Sequence, residues 1–178
     1  TIQEQYAAAE DYYKKAVDIA REPNDKEYLS NALNNIGSLY SKTKAYDEAL
    51  AAINESYALR VSLTDTKGMV SCLNNLGEIY IQQQQYDSAA AKLEKGLTAA
   101  KNAVNCKPEL NKIYLSLSKL YEAQGFSDKA LAMHKLYAAT KDSLYTDELV
   151  TKFAGLETRY KTLEKEKQIQ LQQFEISK

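Results

Sequence analysis

The chain has no tryptophan, two prolines, six glycines, two cysteines and a single histidine among its 178 residues. So few prolines and glycines leave long stretches free of breakers, which argues for helix. Cys72 and Cys106 are too few and too far apart for a zinc or disulfide-framework signature, and are read as small, partly buried side chains. No run of about 18 apolar residues occurs, so no segment is expected to span a membrane. No signal peptide is expected at Thr1. An excess of charge of one sign is missing too. The formal net charge is -1, and Lys and Glu alternate without building a basic stripe. That removes the electrostatic case for DNA, RNA or an anionic membrane surface as a partner of this segment.

The chemistry of catalysis is absent from the pattern as well. There is no Gly-rich phosphate loop, no serine in a nucleophile elbow and no His/Glu metal pair. His134 falls where related segments carry Ile53 and Leu93, a helix-packing position, and is read as a packing or rim residue. Carboxylates such as Glu48 and Glu94 sit at exposed helical positions. The expectation is no enzymatic activity, no catalytic residue, no metal site and no cofactor.

What is present is a folded-protein balance of 44% hydrophobic and 26% charged residues, with 14 tyrosines. Tyrosine suits a helix seam in which the ring is buried and the hydroxyl reaches water. More telling is an internal repeat. A shift of forty residues lays ALNNIGSLY (32–40) on CLNNLGEIY (72–80), Tyr6 on Tyr46 and Tyr86, and Ala9 on Ala49 and Ala89. A shift of forty-one then brings Tyr80 onto Tyr121 and Ala89 onto Ala130, so a diverged third copy reads YLSLSKLYEAQGFSDKA (114–130). Each copy holds two helical periodicities. Leu33, Ile36, Gly37 and Tyr40 form one face, and Tyr46, Ala49, Leu50, Ile53 and Tyr57 the next, across the turn 41–45. Asp47 and Glu48 open the second helix, where acids complement its dipole. Small residues at Gly37, Gly77 and Ser118, and at Ala49, Ala89 and Ala130, let the two backbones approach closely.

These positions resemble the tetratricopeptide repeat family. The second copy matches that family's pattern at Leu73, Leu76, Gly77, Tyr80, Tyr86, Ala89, Leu93 and Gly96. The first does so at Leu33, Ile36, Gly37, Tyr40, Tyr46, Ala49, Ile53 and Ser56. The third departs at Ser118, carries Phe126 one place early and has Gly125 in its turn. The forty-residue period exceeds the family's usual 34 and resembles the subgroup in kinesin light chains and bacterial peptide-sensing regulators. The resemblance, over residues 3–145, implies an all-α, right-handed superhelical stack of antiparallel helical hairpins followed by a long C-terminal helix. Helices are expected near 3–21, 26–43, 46–62, 66–83, 86–103, 108–124 and 127–144. The first is the second helix of a truncated repeat, and three hairpins follow at about 26–62, 66–103 and 108–144. Pro23-Asn24-Asp25 breaks the first helix and caps the next, and Pro108 suits a first turn.

In such stacks the first helices line the concave side. The groove is therefore expected at Asn31, Asn34, Asn35, Ser38 and Lys42, then Ser71, Asn74, Asn75, Glu78 and Gln82, then Lys112, Leu115, Ser116, Lys119 and Glu122. An Asn amide donates and accepts, so paired asparagines can clamp a peptide backbone. They can equally cap or bridge neighbouring helices. Lys112 and Lys119 would attract an acidic or C-terminal carboxylate. The expected partner is a protein or peptide.

Residues 146–178 change pattern. Leu149, Phe153, Leu156, Tyr160 and Leu163 alternate four- and three-residue steps, and the seam turns polar at Lys167 and Gln170. Two readings stand: a helix capping the last hairpin, or a linker helix of coiled-coil character that pairs with a second copy as a homodimer. The chain opens inside an amphipathic helix and ends on one, so it is read as a piece of a longer protein. The run from His134 to Leu171, with DSLY, LETRY and a Lys/Glu/Gln tract, resembles the end of the sensor region in membrane-tethered regulators of Bacteroidota. That resemblance implies a periplasmic sensor, two-component or transcriptional, whose membrane contact and output domain lie outside this chain. The alternative is a cytosolic scaffold for protein assembly.

Overall fold

The computed structural model describes residues 2–21 and 25–176, with the side chains of 2–5, 160, 171, 172 and 174–176 outside the description. Pro23 and Asn24, read as the break between the first two helices, lie outside it, as does the side chain of Tyr160. Among the described residues the chain is all-α. Its helices are α1 (Ile2–Arg21), α2 (Lys26–Lys42), α3 (Tyr46–Ser62), α4 (Thr66–Gln82), α5 (Tyr86–Asn102), α6 (Lys107–Ala123) and α7 (Ser127–Ile176). Chain contacts divide into two compact units, residues 1–138 and 139–178.

Caps and turns set the boundaries. Asp25 and Asp65 cap α2 and α4, their carboxylates accepting from the amides of Tyr28 and Gly68 at 3.0 Å. Pro108 lies in the first turn of α6, where its missing N–H costs nothing. All three turns within hairpins close the same way. The amides of Lys44, Gln84 and Gly125 donate three residues back, and those of Ala45, Gln85 and Phe126 five back, to Tyr40, Tyr80 and Tyr121. A left-handed residue sits at each turn: Lys44 at φ 65°, Gln84 at 60° and Gly125 at 78°. Phe126 therefore occupies the cap position of Ala45 and Gln85, and the third turn keeps the geometry of the others.

Within residues 1–138, paired helices zip through small-to-large contacts. A Cβ added at Gly37 would come 2.4 Å from Ile53 Cγ1, and one at Gly77 2.5 Å from Leu93 Cγ. Ile53 and Leu93 are then sealed from the other side by the next first helix. Ile53 and Ala49 join Cys72, Leu76 and Ile79 of α4, while Leu93 and Ala89 join Ile113, Leu117 and Leu120 of α6. Each such fully buried Leu or Ile contributes about 1.5–3 kcal/mol. In the third hairpin Ser118 replaces the glycine and donates to the Ala130 carbonyl at 3.1 Å, and Asn111 donates to that of Tyr137 at 2.7 Å.

The first helices of successive hairpins approach one another, α2 to α4 and α4 to α6, whereas no Cα atoms of α3 and α5 come within 8 Å. The stack therefore curves with the first helices on its inner side.

One expected boundary differs. The change of pattern predicts an end to the third hairpin near 144 and a capping or linker helix from 146, but α7 runs unbroken to Ile176. The reason is local: no proline or glycine stands between Ser127 and Ala154, and the polar stretch around Asp142 cannot stop a helix by itself. Beyond residue 138 the apolar stripe is open to solvent, with Phe153 67%, Leu156 62% and Leu163 56% exposed.

Candidate functional site: the inner face of the first helices

The expected groove residues fall on α2, α4 and α6 and separate into two groups. The first group joins helices. Asn34 Oδ1 accepts from Asn75 Nδ2 at 2.9 Å and from the Cys72 thiol at 3.6 Å, bridging α2 to α4. Gln82 Nε2 donates to Ser41 Oγ at 3.3 Å. Between α4 and α6, Ser116 Oγ donates to Glu78 Oε1 at 3.0 Å, and Lys119 Nζ lies 3.7 Å from the same oxygen. Asn31 Oδ1 accepts from Arg60 Nη2 at 2.7 Å.

Asn74 and Ser116 require a correction. Helix periodicity predicts both on the groove side, yet they are only 5% and 1% exposed. The close approach of α4 and α6 sandwiches that flank of each helix. Asn74 holds the position of Asn34, but its counterpart of Asn75 is Ser116, which turns to Glu78. The Asn74 Oδ1 atom consequently has no partner among the described residues.

The second group is open. Asn35 and Lys42 are exposed and Ser38 half-buried. They line a cavity of about 410 Å³ with Leu39 and, from α1, Tyr6, Ala9 and Tyr13. A smaller recess of about 160 Å³ lies among Glu78, Ile81, Gln82 and Lys119. Ser71, Leu115 and Asn111 are half-buried, while Lys112 and Glu122 are exposed on the same face.

Two features escaped the sequence reading. Arg60, 8% exposed, ion-pairs with Asp65, reaches Asn31 and donates to Ser56 Oγ at 3.4 Å, while Ser56 donates to the Ser30 carbonyl at 2.7 Å. Its one sequence signal is a charge where the apolar face of α3 should continue. The other feature is a cavity of about 440 Å³ between α1 and α3 over α2, lined by Val17, Leu33, Ile36, Tyr40 and Ala52 with Lys14, Glu48 and Glu55 at its rim. The Arg21–Glu55 ion pair at 2.9 Å links α1 to α3 beside it, and spacing in sequence carries no trace of that contact.

Burial pushes the Cys72 thiol up, opposed by its contact with Ser56 at 3.3 Å. Burial also raises the Tyr40 hydroxyl, against the pull of Lys14. His134 is exposed, its ring 5.6 Å from that of Tyr137. No group of three or more His, Cys, Asp or Glu among the described residues could hold a metal ion, and no described helix is long and apolar enough to cross a membrane.

Comparison with known proteins agrees with the geometry. The crystal structure of BtubC (BKLC) from P. vanneervenii is similar, with a TM-score of 0.68 at 20% identity over 80% of this chain. The chain spans 59% of that protein's length, and at this identity the likeness concerns the fold alone. No curated protein matches the sequence. A family model described as tetratricopeptide repeat matches residues 1–62 and 28–102, more than half of the chain. With the forty-residue period, the glycine-to-leucine seams and the inner row of first helices, the conclusion is direct: the chain belongs to the tetratricopeptide repeat family, whose modules serve protein–protein interaction.

Proposed function

We propose that the chain is a peptide-binding module which takes an extended segment of another protein across the inner face of α2, α4 and α6. We further propose that it serves as the sensory part of a membrane-tethered bacterial signalling regulator. The observation carrying the binding reading is the division among the polar residues of that face. Asn31, Asn34 and Asn75 are occupied in joining helices, whereas Asn35, Ser38 and Lys42 stand open beside two tyrosines in the 410 Å³ cavity. The Asn35 amide can donate to and accept from a peptide backbone, and Lys42 supplies a cation for an acidic side chain or a chain terminus. Lys112 continues that charge along the face.

A random-peptide library selected against the whole chain tests this. Enriched peptides should carry an acidic residue or a free carboxyl terminus. Their binding should fall about tenfold or more in Asn35→Ala/Lys42→Glu and stay unchanged in Glu94→Ala on the outer side. Peptides indifferent to the inner-face substitutions would refute the site. The signalling role is supported by the resemblance of residues 134–171 to sensor-region termini. Fractionation of the natural protein in its host decides it. Recovery with membranes supports a periplasmic sensor, and recovery in the cytosolic fraction replaces it with the scaffold.

A further inference from the structure

Residues 139–178 form a compact unit of their own, along which Tyr145, Val150, Phe153, Leu156 and Leu163 are each more than half exposed. Most helical stability in proteins comes from packing an apolar face, and a stripe of large exposed side chains on one face is a seam without its other half. The stripe is regular. Leu149, Phe153, Leu156, Tyr160 and Leu163 take the d, a, d, a, d positions of a heptad repeat.

The flanking charges say what covers it. In this register Lys152 and Arg159 are g positions and Glu157 and Glu164 e positions, with Tyr145 (g) and Val150 (e) before them and Glu166 (g) after. In a parallel, in-register pair each g residue meets the e residue five positions later on the other strand. Lys152 then meets Glu157 and Arg159 meets Glu164, each twice by symmetry. In an antiparallel pair g meets g and e meets e, which sets the cations against one another and the carboxylates likewise. The same five-residue step matches Tyr145 with Val150, which are 64% and 63% exposed and otherwise unexplained. A slip of one heptad would drive Lys167 onto the layer of Tyr160. From this pattern we infer that residues 149–163 form a parallel, in-register two-stranded coiled coil with a second copy of this chain.

Within one chain Lys152 pairs with Glu148 at 2.6 Å and Lys161 with Glu157 at 2.7 Å. These are solvent-exposed contacts one turn apart, weak enough to be shared or exchanged on pairing. The proposal stands independently of what the inner face of the array binds.

Sedimentation equilibrium of the whole chain is the test. The mass rises from 20.0 kDa toward twice that value with concentration, and Leu156→Asp returns it to the monomer. The variants Lys152→Glu/Arg159→Glu and Glu157→Lys/Glu164→Lys each weaken self-association at least about tenfold, and their equimolar mixture restores it. Orientation is read from Leu149→Cys and Leu163→Cys, made separately and oxidised mildly. Both give disulfide-linked dimers when strands are parallel and in register, whereas an antiparallel pair can set at most one of these positions against itself. The native thiols are buried and do not interfere. A monomer at every concentration up to about 1 mM, a dimer indifferent to the charge variants, or cross-linking at only one of the two positions would each overturn the proposal.

Discussion

The second helix of a hairpin has two different fates in this molecule. In α3 and α5 the ridge residues Ile53 and Leu93 are 0% exposed, wedged between a glycine of the partner helix and the first helix of the next hairpin. In α7 the same ridge position is His134, which is exposed, and Leu131 beside it is 55% exposed. Periodicity and spacing are alike in all three. What differs among the described residues is the presence of a following helix, so burial in a repeat stack belongs to the interface between repeats and not to the repeat itself. The side chains follow suit: Gly37 and Gly77 give way to Ser118, and a leucine gives way to a histidine.

The largest effect expected from this contrast is at the ridge. Leu93→Ala should cost about 2–5 kcal/mol in urea-induced unfolding, because it empties a sealed site. His134→Ala should stay within about 0.5 kcal/mol. Equal losses would mean that the α7 ridge is covered in solution.

A smaller effect tests the seam by glycine. Gly77→Ala gains helix propensity but pushes a methyl group into Leu93, and the clash should win by about 1–3 kcal/mol. Gly155→Ala, where an added Cβ meets nothing within 4 Å, should instead raise helicity in the tail by up to about 1 kcal/mol. Opposite signs in circular dichroism melts support the contrast, and the same sign at both positions refutes it.

The smallest effect concerns the turns. Gly125→Ala places a Cβ in left-handed backbone and should lower the stability of the third hairpin by about 1 kcal/mol. Lys44→Gly removes that same cost from the first turn and should raise stability by a comparable or smaller amount. Hydrogen exchange resolved by hairpin would show both, and a loss in Lys44→Gly would mean that its side chain contributes where no contact is evident.

Most of the helical frame was legible from spacing alone, because small and large residues at fixed steps leave little freedom once two helices pair. Helix ends agree with the expected ones to within a residue through α6, and Asp25 and Pro108 announce two of the starts. The continuation of α7 was not legible, as stopping a helix takes a breaker and the absence of one is a weak signal in a polar stretch. The open part of the inner face was half legible. Asn35, Ser38 and Lys42 follow from the helix face, but that Asn34 binds Asn75, and that Asn74 and Ser116 are enclosed, depends on the distance between adjacent first helices. Arg60 illustrates the same limit: its partners Asn31 and Ser56 come from different helices, and only their meeting satisfies the guanidinium.

The sequence by itself therefore determined the repeat and the hairpin pairing, because each rests on local periodicity and side-chain size. Tertiary structure alone decided which polar groups remain open and which ridge lies bare. Those outcomes depend on the separation between elements far apart in the chain, set by packing against neighbours that no local pattern encodes.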